Sequence, residues 1–144
     1  MNTSTRGIQI NGRSLGIGRP TYIVAEMSGN HNQDIDSAIK IIHRAKEAGA
    51  DAVKLQTYTA DTLTIDCDEE SFLIKEGLWA GRTLYDLYNE AYTPWEWHER
   101  LKFEADSVGI DLFSSPFDRS AVDLLENLGA VSYTHLTLPT NREV

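Results

Sequence analysis

The chain has 144 residues, 41% of them hydrophobic, with 13 basic against 22 acidic side chains and a formal charge of −9. That length suits one modest globular domain, and the acidic balance argues against a nucleic-acid or anionic-membrane partner. Cys67 is the single cysteine, which excludes an internal disulfide and a cysteine-based zinc site. Met1 to Pro20 is polar and glycine-rich, unlike a signal peptide, and no stretch is long enough to span a bilayer, so a cytoplasmic location is expected.

Ile8 to Leu15 carries Asn11-Gly12 between short alternating runs, which predicts a β-hairpin. A first strand is expected over Thr21 to Glu26. Asp34 caps a helix whose apolar stripe is Ile35, Ala38, Ile39, Ile42 and Ala45 and which stops at Gly49. Ala52 to Gln56 reads as a second strand. Thr57 to Arg82 is irregular and too long for an ordinary connection. Leu84, Leu87, Tyr88 and Ala91 mark a short helix capped by Thr83. Thr93-Pro94-Trp95-Glu96 then supplies a capping box with proline at the first helical position, opening a helix that runs to Gly109. Ile110 to Ser114 is the third strand, and a cap at Asp118 opens the third helix of the βα series, which runs to Gly129.

This order builds a parallel α/β sheet, in which ligands bind at the carboxyl ends of the strands. Polar residues stand at those ends. Glu26 closes an apolar run, where a carboxylate needs either an ordinary ion-pair partner or a chemical task. Lys54 ends Ala52-Val53, as a point charge for phosphate or carboxylate or as a lysine whose head reaches solvent. Ser114-Ser115-Pro116 offers hydroxyls and N–H groups near the next helix start. Asn30-His31 suits a sugar or metal ligand, though a lone histidine is more often structural. Trp95 and Trp97 are expected to pack helix against sheet.

Together these residues resemble the sialic acid synthase family. The first-strand signature is Ile23 to His31, the second Ala48 to Thr57, and the third Phe113-Ser114-Ser115-Pro116-Phe117. Within the family, Tyr58 to Thr64, Gly77-Leu78-Trp79, Leu84 to Tyr88 and Thr93 to Glu99 are similar to the synthases of pseudaminic acid. The resemblance covers about Ile8 to Ala130 and explains the Thr57–Arg82 stretch as an extended second βα loop. It implies the N-terminal part of a TIM (β/α)8 barrel, about three βα units after a short hairpin, with its active site at the C-terminal face of the strands.

The resemblance also implies a reaction. Phosphoenolpyruvate adds through its methylene carbon to the aldehyde of an open-chain 2,4-diacetamido-trideoxy hexose, giving pseudaminic acid and phosphate. By family position, Glu26 is the catalytic residue beside the reacting sugar, while Lys54, Gln56 and Ser115 bind phosphoenolpyruvate. A divalent metal, manganese or magnesium, serves as Lewis acid in the full-length enzyme, a homodimer by family, but the family's metal-binding histidines lie on later strands, so no metal ligand is assigned here. N-acetylneuraminate or legionaminate synthesis is the alternative within the class, to be separated by the Leu84–Glu99 segment. A non-catalytic α/β binding module is the alternative outside it, in which Glu26, Lys54 and Ser115 need not converge.

The family pattern breaks after Ala130. Val131 to Thr140 is similar to a translated sequencing-library adapter, so residues 131–144 are expected to be a foreign tail beside a partial barrel domain at 1–130. His135 takes no role, although alternation from Val131 to Leu138 also fits a strand. A full barrel needs about 250 residues, so the fragment itself is expected to be inactive.

Overall fold

The computed structural model describes residues 8–129 and the backbone of Ser132 and Tyr133. Two short strands come first, β1 (Ile8–Ile10) and β2 (Arg13–Leu15), paired antiparallel. Asn11 and Gly12 join them with φ of 45° and 77°, the left-handed pair that a two-residue hairpin turn requires and that Asn-Gly tolerates. The βα series follows as β3 (Val24–Glu26), α1 (Ile35–Glu47), β4 (Ala52–Thr57), α2 (Ala60–Leu63), α3 (Leu84–Ala91), α4 (His98–Val108), β5 (Asp111–Pro116), α5 (Arg119–Leu128) and β6 (Ser132–Tyr133).

Strands β3, β4, β5 and β6 lie side by side in chain order, every pair parallel. A doubly wound sheet reverses its strand order at a switch point, whereas a barrel adds each new strand beside the last. The described strands follow the barrel rule. One face of the sheet is the core. Ala25, Val53, Leu55 and Leu112 pack there against Ala38, Ile42 and Ala45 of α1 and Leu101 and Ala105 of α4. Pleating sends alternate residues to the other face, which in a barrel is the interior.

The hairpin closes the N-terminal end of this sheet. Asp51 sits just before β4, pairs with the Arg13 guanidinium and accepts from the Ile23 N–H at 2.7 Å. Asp111 at the start of β5 accepts from Asn11 Nδ2 at 2.8 Å and from the Tyr22 hydroxyl. The Tyr22 ring stacks on Phe113 with centroids 6.0 Å apart. This docking explains why β3 is shorter than the expected Thr21–Glu26. The Ile23 carbonyl accepts from the N–H groups of Asp51 and Ala52, and the segment before it is engaged with the hairpin.

Three caps form as read from the sequence, Asp118 among them, which accepts from the N–H groups of Ser120 and Ala121 at the start of α5. Asp34 accepts from Asp36 N–H at the start of α1, and Thr83 accepts from Asp86 N–H at the start of α3. The fourth, at Thr93, does not. A 3₁₀ turn, Trp95–Trp97, precedes α4, no side chain caps it, and the Thr93 hydroxyl faces His31 Nε2 at 3.3 Å. The capping box is replaced by a tertiary hydrogen bond. The Thr57–Arg82 stretch contains α2, a 3₁₀ turn at Glu70–Phe72 and a bridge between Leu73 and Thr83 that closes a small loop around Gly77-Leu78-Trp79. Ser132 and Tyr133 pair with Phe113 and Ser114 through their backbones, as the alternation there allows. The remainder of the expected foreign tail, His135 included, lies outside the described residues.

Candidate active site

Register decides which side chains meet. Glu26 lies opposite Lys54, and Gln56 lies opposite Ser115. Partners in register share a face, as do residues two apart, so these four stand together on the face opposite the helix-packed core, at the carboxyl ends of β3, β4 and β5. Lys54 Nζ lies 2.7 Å from Glu26 Oε2, with the side chains 31% and 40% exposed. Solvent screens a pair this open, so its net stabilisation is at most about 1 kcal/mol. Its chemical meaning is larger: the ammonium is held at the strand ends by a partner that an incoming anion can replace. The Ser28 hydroxyl reaches Gln56 Oε1 at 3.5 Å, and Ser115 is only 8% exposed.

The neighbouring serine behaves differently. Ser114 faces the helical layer, where its hydroxyl meets Thr57 Oγ1 at 2.5 Å, and Thr57 Oγ1 meets His98 Nε2 at 2.8 Å. Only one of the two serine hydroxyls therefore belongs to the polar face. Alternation along β5 separates them, which their adjacency in the sequence conceals.

The loop after β3 is held under strain. Ser28, Asn32 and Gln33 all have positive φ, at 50°, 51° and 55°. Non-glycine residues seldom adopt that conformation, and a cluster beside a polar strand end marks a loop fixed by its surroundings. Three attachments fix it. Gly29 lies so close to the end of α3 that a Cβ there would stand 2.8 Å from the Ala91 carbonyl oxygen. Gln33 Nε2 donates to the carbonyls of Glu90 at 3.0 Å and Tyr92 at 2.6 Å. His31 is fully buried, its Nδ1 accepting from the Gln33 N–H at 3.2 Å and its ring meeting Trp97 edge-on. Burial holds its pKa below the ordinary value. A neutral imidazole with its proton on Nε2 satisfies all of this, so His31 is a structural strut and not a ligand. Ser28, Thr57 and His98 were not singled out by sequence, and Ser114 was read only beside Ser115 as a hydroxyl near a helix start, since nothing local shows which residues they face.

Among the described residues, no three of His, Cys, Asp and Glu converge in a way that could hold a metal ion. A groove of about 400 Å³ between α4 and α5, lined by Phe103, Asp106, Leu124 and Leu128, opens on the outer helical surface and not at the strand ends. No helix among the described residues is long and apolar enough to cross a membrane.

Consecutive parallel strands, with charged and amide side chains gathered at their carboxyl ends, define the N-terminal part of a TIM barrel. The sequence matches the NeuB family over residues 41–134, and the chain belongs to that family. It is 45% identical over 125 residues to the pseudaminic acid synthase of Campylobacter jejuni subsp. jejuni serotype O:2, covering 87% of this chain and 36% of that protein. It is 47% identical over 115 residues to the pseudaminic acid synthase of Helicobacter pylori, covering 80% of this chain and 34% of that one. The crystal structure of the N-acetylneuraminic acid (sialic acid) synthetase from Leptospira borgpetersenii serovar Hardjo-bovis shares the fold with a TM-score of 0.69. Identity there is 24%, with 87% of this chain and 39% of that chain covered. The chain thus spans about a third of the length of the curated relatives it matches.

Proposed function

We propose that these residues form the phosphoenolpyruvate-binding part of a synthase that joins phosphoenolpyruvate to an open-chain 2,4-diacetamido-trideoxy hexose, releasing phosphate and pseudaminic acid. One observation carries the reading. Glu26 and Lys54 form a replaceable ion pair in register, with Gln56 and Ser115 one step further along the same face. A multiply charged anion needs one mobile cation and several neutral donors at short range, and this face offers both.

In the proposed reaction the methylene carbon of phosphoenolpyruvate attacks the aldehyde carbon, and the aldehyde oxygen gains a proton. Water adds to the adjacent enol carbon, and the carbon–oxygen bond to phosphate then breaks. Lys54 binds the anion and in doing so releases Glu26. The freed carboxylate stands beside the reacting carbons, where it can take a proton from water and return one to the new hydroxyl. The described residues do not fit a divalent metal, so no step here passes through one. The resemblance of Leu84 to Glu99 to synthases of pseudaminic acid, together with the two relatives of that name, supports this sugar over N-acetylated neuraminate or legionaminate precursors.

The test has two parts. Calorimetry of the chain with phosphoenolpyruvate should show binding that Lys54→Ala weakens. A chain extended to the length of its relatives should release phosphate only with both substrates, and fastest with the 2,4-diacetamido sugar that yields pseudaminic acid. Saturable binding unaffected by Lys54→Ala contradicts the assignment of the subsite, and faster turnover of another sugar contradicts that of the substrate.

A further inference from the structure

Behind the polar face runs a hydrogen-bonded chain whose direction can be derived. His98 is 1% exposed, Thr57 0% and Ser114 1%. His98 Nδ1 lies 3.2 Å from the Pro94 carbonyl, which can only accept, so Nδ1 carries the proton. Burial keeps the ring neutral, which leaves Nε2 as an acceptor. Thr57 must therefore donate to Nε2, and its oxygen is left to accept from the Ser114 hydroxyl. Each of the three bonds has one direction, from Ser114 to Thr57 to His98 to the Pro94 carbonyl.

The two strand residues in this chain are neighbours of the two polar-face residues. Thr57 follows Gln56, and Ser114 precedes Ser115. Gln56 pairs with Ser115 in register, and the Thr57–Ser114 bond crosses that pair diagonally on the reverse side. Rotation or slippage of either strand end would break the chain on one face as it moved the amide and hydroxyl on the other. Burying three polar groups in an apolar layer is costly unless they fix something that packing leaves loose. Here they fix the last residues of β4 and β5, and they do so from the first residue of α4.

We propose that His98 is a positioning residue for Gln56 and Ser115, acting through Thr57 and Ser114. The proposal rests on the reading of that face as the phosphoenolpyruvate subsite, and its test separates the two. Thr57→Val keeps the shape and removes the hydroxyl, Thr57→Ser keeps the hydroxyl, and Ala105→Gly loosens α4 without touching the chain. Hydrogen exchange followed by mass spectrometry reads the ends of β4 and β5 in any state of association, and calorimetry reads phosphoenolpyruvate binding.

Thr57→Val removes both bonds of the hydroxyl, so it should speed exchange at both strand ends and weaken binding about tenfold, on the order of a lost buried hydrogen bond. Thr57→Ser should restore both. Ala105→Gly should leave binding unchanged even where its melting temperature falls as far. Binding by Thr57→Val equal to wild type, or an equal loss in Ala105→Gly, overturns the proposal. If wild-type protein binds no phosphoenolpyruvate, the functional reading fails and exchange alone decides: acceleration at both strand ends upholds the coupling, and acceleration confined to β4 overturns it. Should Thr57→Val not fold, His98→Gln, which keeps an acceptor for Thr57, must retain binding that His98→Leu loses, and equal binding by the two overturns the proposal.

Discussion

Lys54 and Glu26 sit opposite each other on neighbouring strands, partly exposed, with a weak mutual attraction. Lys54→Ala should therefore barely change the melting temperature while costing on the order of 1.5–3 kcal/mol in phosphoenolpyruvate binding, the value of a charge-assisted contact. A calorimetric titration beside a thermal melt checks both. The titration of His31 and His98 bears instead on stability. Burial lowers both pKa values below the ordinary 6.5. As pH falls below about 6.5 the unfolded chain takes up protons that the fold refuses, so stability present above that value is lost on the way down. Melting temperature should drop between about pH 7 and pH 5, and His98→Gln should flatten the slope. Asp34 and Asp51, held below 3.8 chiefly by side-chain and backbone hydrogen bonds, contribute stability that is present above that value and lost only as pH falls further.

At the scale of elements, the loop after β3 depends on its seat against α3. Gly29→Ala would drive a methyl into the Ala91 carbonyl and the Ala91 side chain, at 2.8 and 3.2 Å. Neither neighbour is the flexible end of a long side chain, so the change should cost about 1–3 kcal/mol and mobilise the segment that carries Ser28. Chemical denaturation measures the first, and faster hydrogen exchange over residues 27–34 the second. The same contact shows where local reading stops. Asp34, Thr83 and Asn11-Gly12 act within a few residues, so their caps and turn are visible in sequence. Thr93 has an equally good local role available, yet bonds His31, which is 62 residues away. A hydroxyl with two possible partners takes the one that tertiary packing brings to it.

At the scale of the whole molecule, the outer edge of β3 has no strand beside it among the described residues, and Ile23 and Val24 are 54% and 40% exposed there. An unpaired edge next to apolar side chains invites association. The 144-residue chain should associate with rising concentration and release no phosphate from phosphoenolpyruvate and any amino sugar, since it spans about a third of its relatives. Sedimentation velocity across a concentration series tests the first part and a phosphate assay the second. A monodisperse chain that turns over both substrates contradicts both.

The amino-acid sequence by itself determined the order of strands and helices, because apolar periodicity and caps are properties of short windows. It also placed Glu26, Lys54, Gln56 and Ser115 at strand ends, since each closes or follows an apolar run. Only the tertiary structure decided their company. Register set Glu26 against Lys54 and Gln56 against Ser115, and a slip of one residue would have sent each to the opposite face. It also separated Ser114 from Ser115, made His31 a strut, and joined Thr57 to His98 across 41 residues. Those pairings depend on how distant segments pack, and no local window of the chain contains both partners.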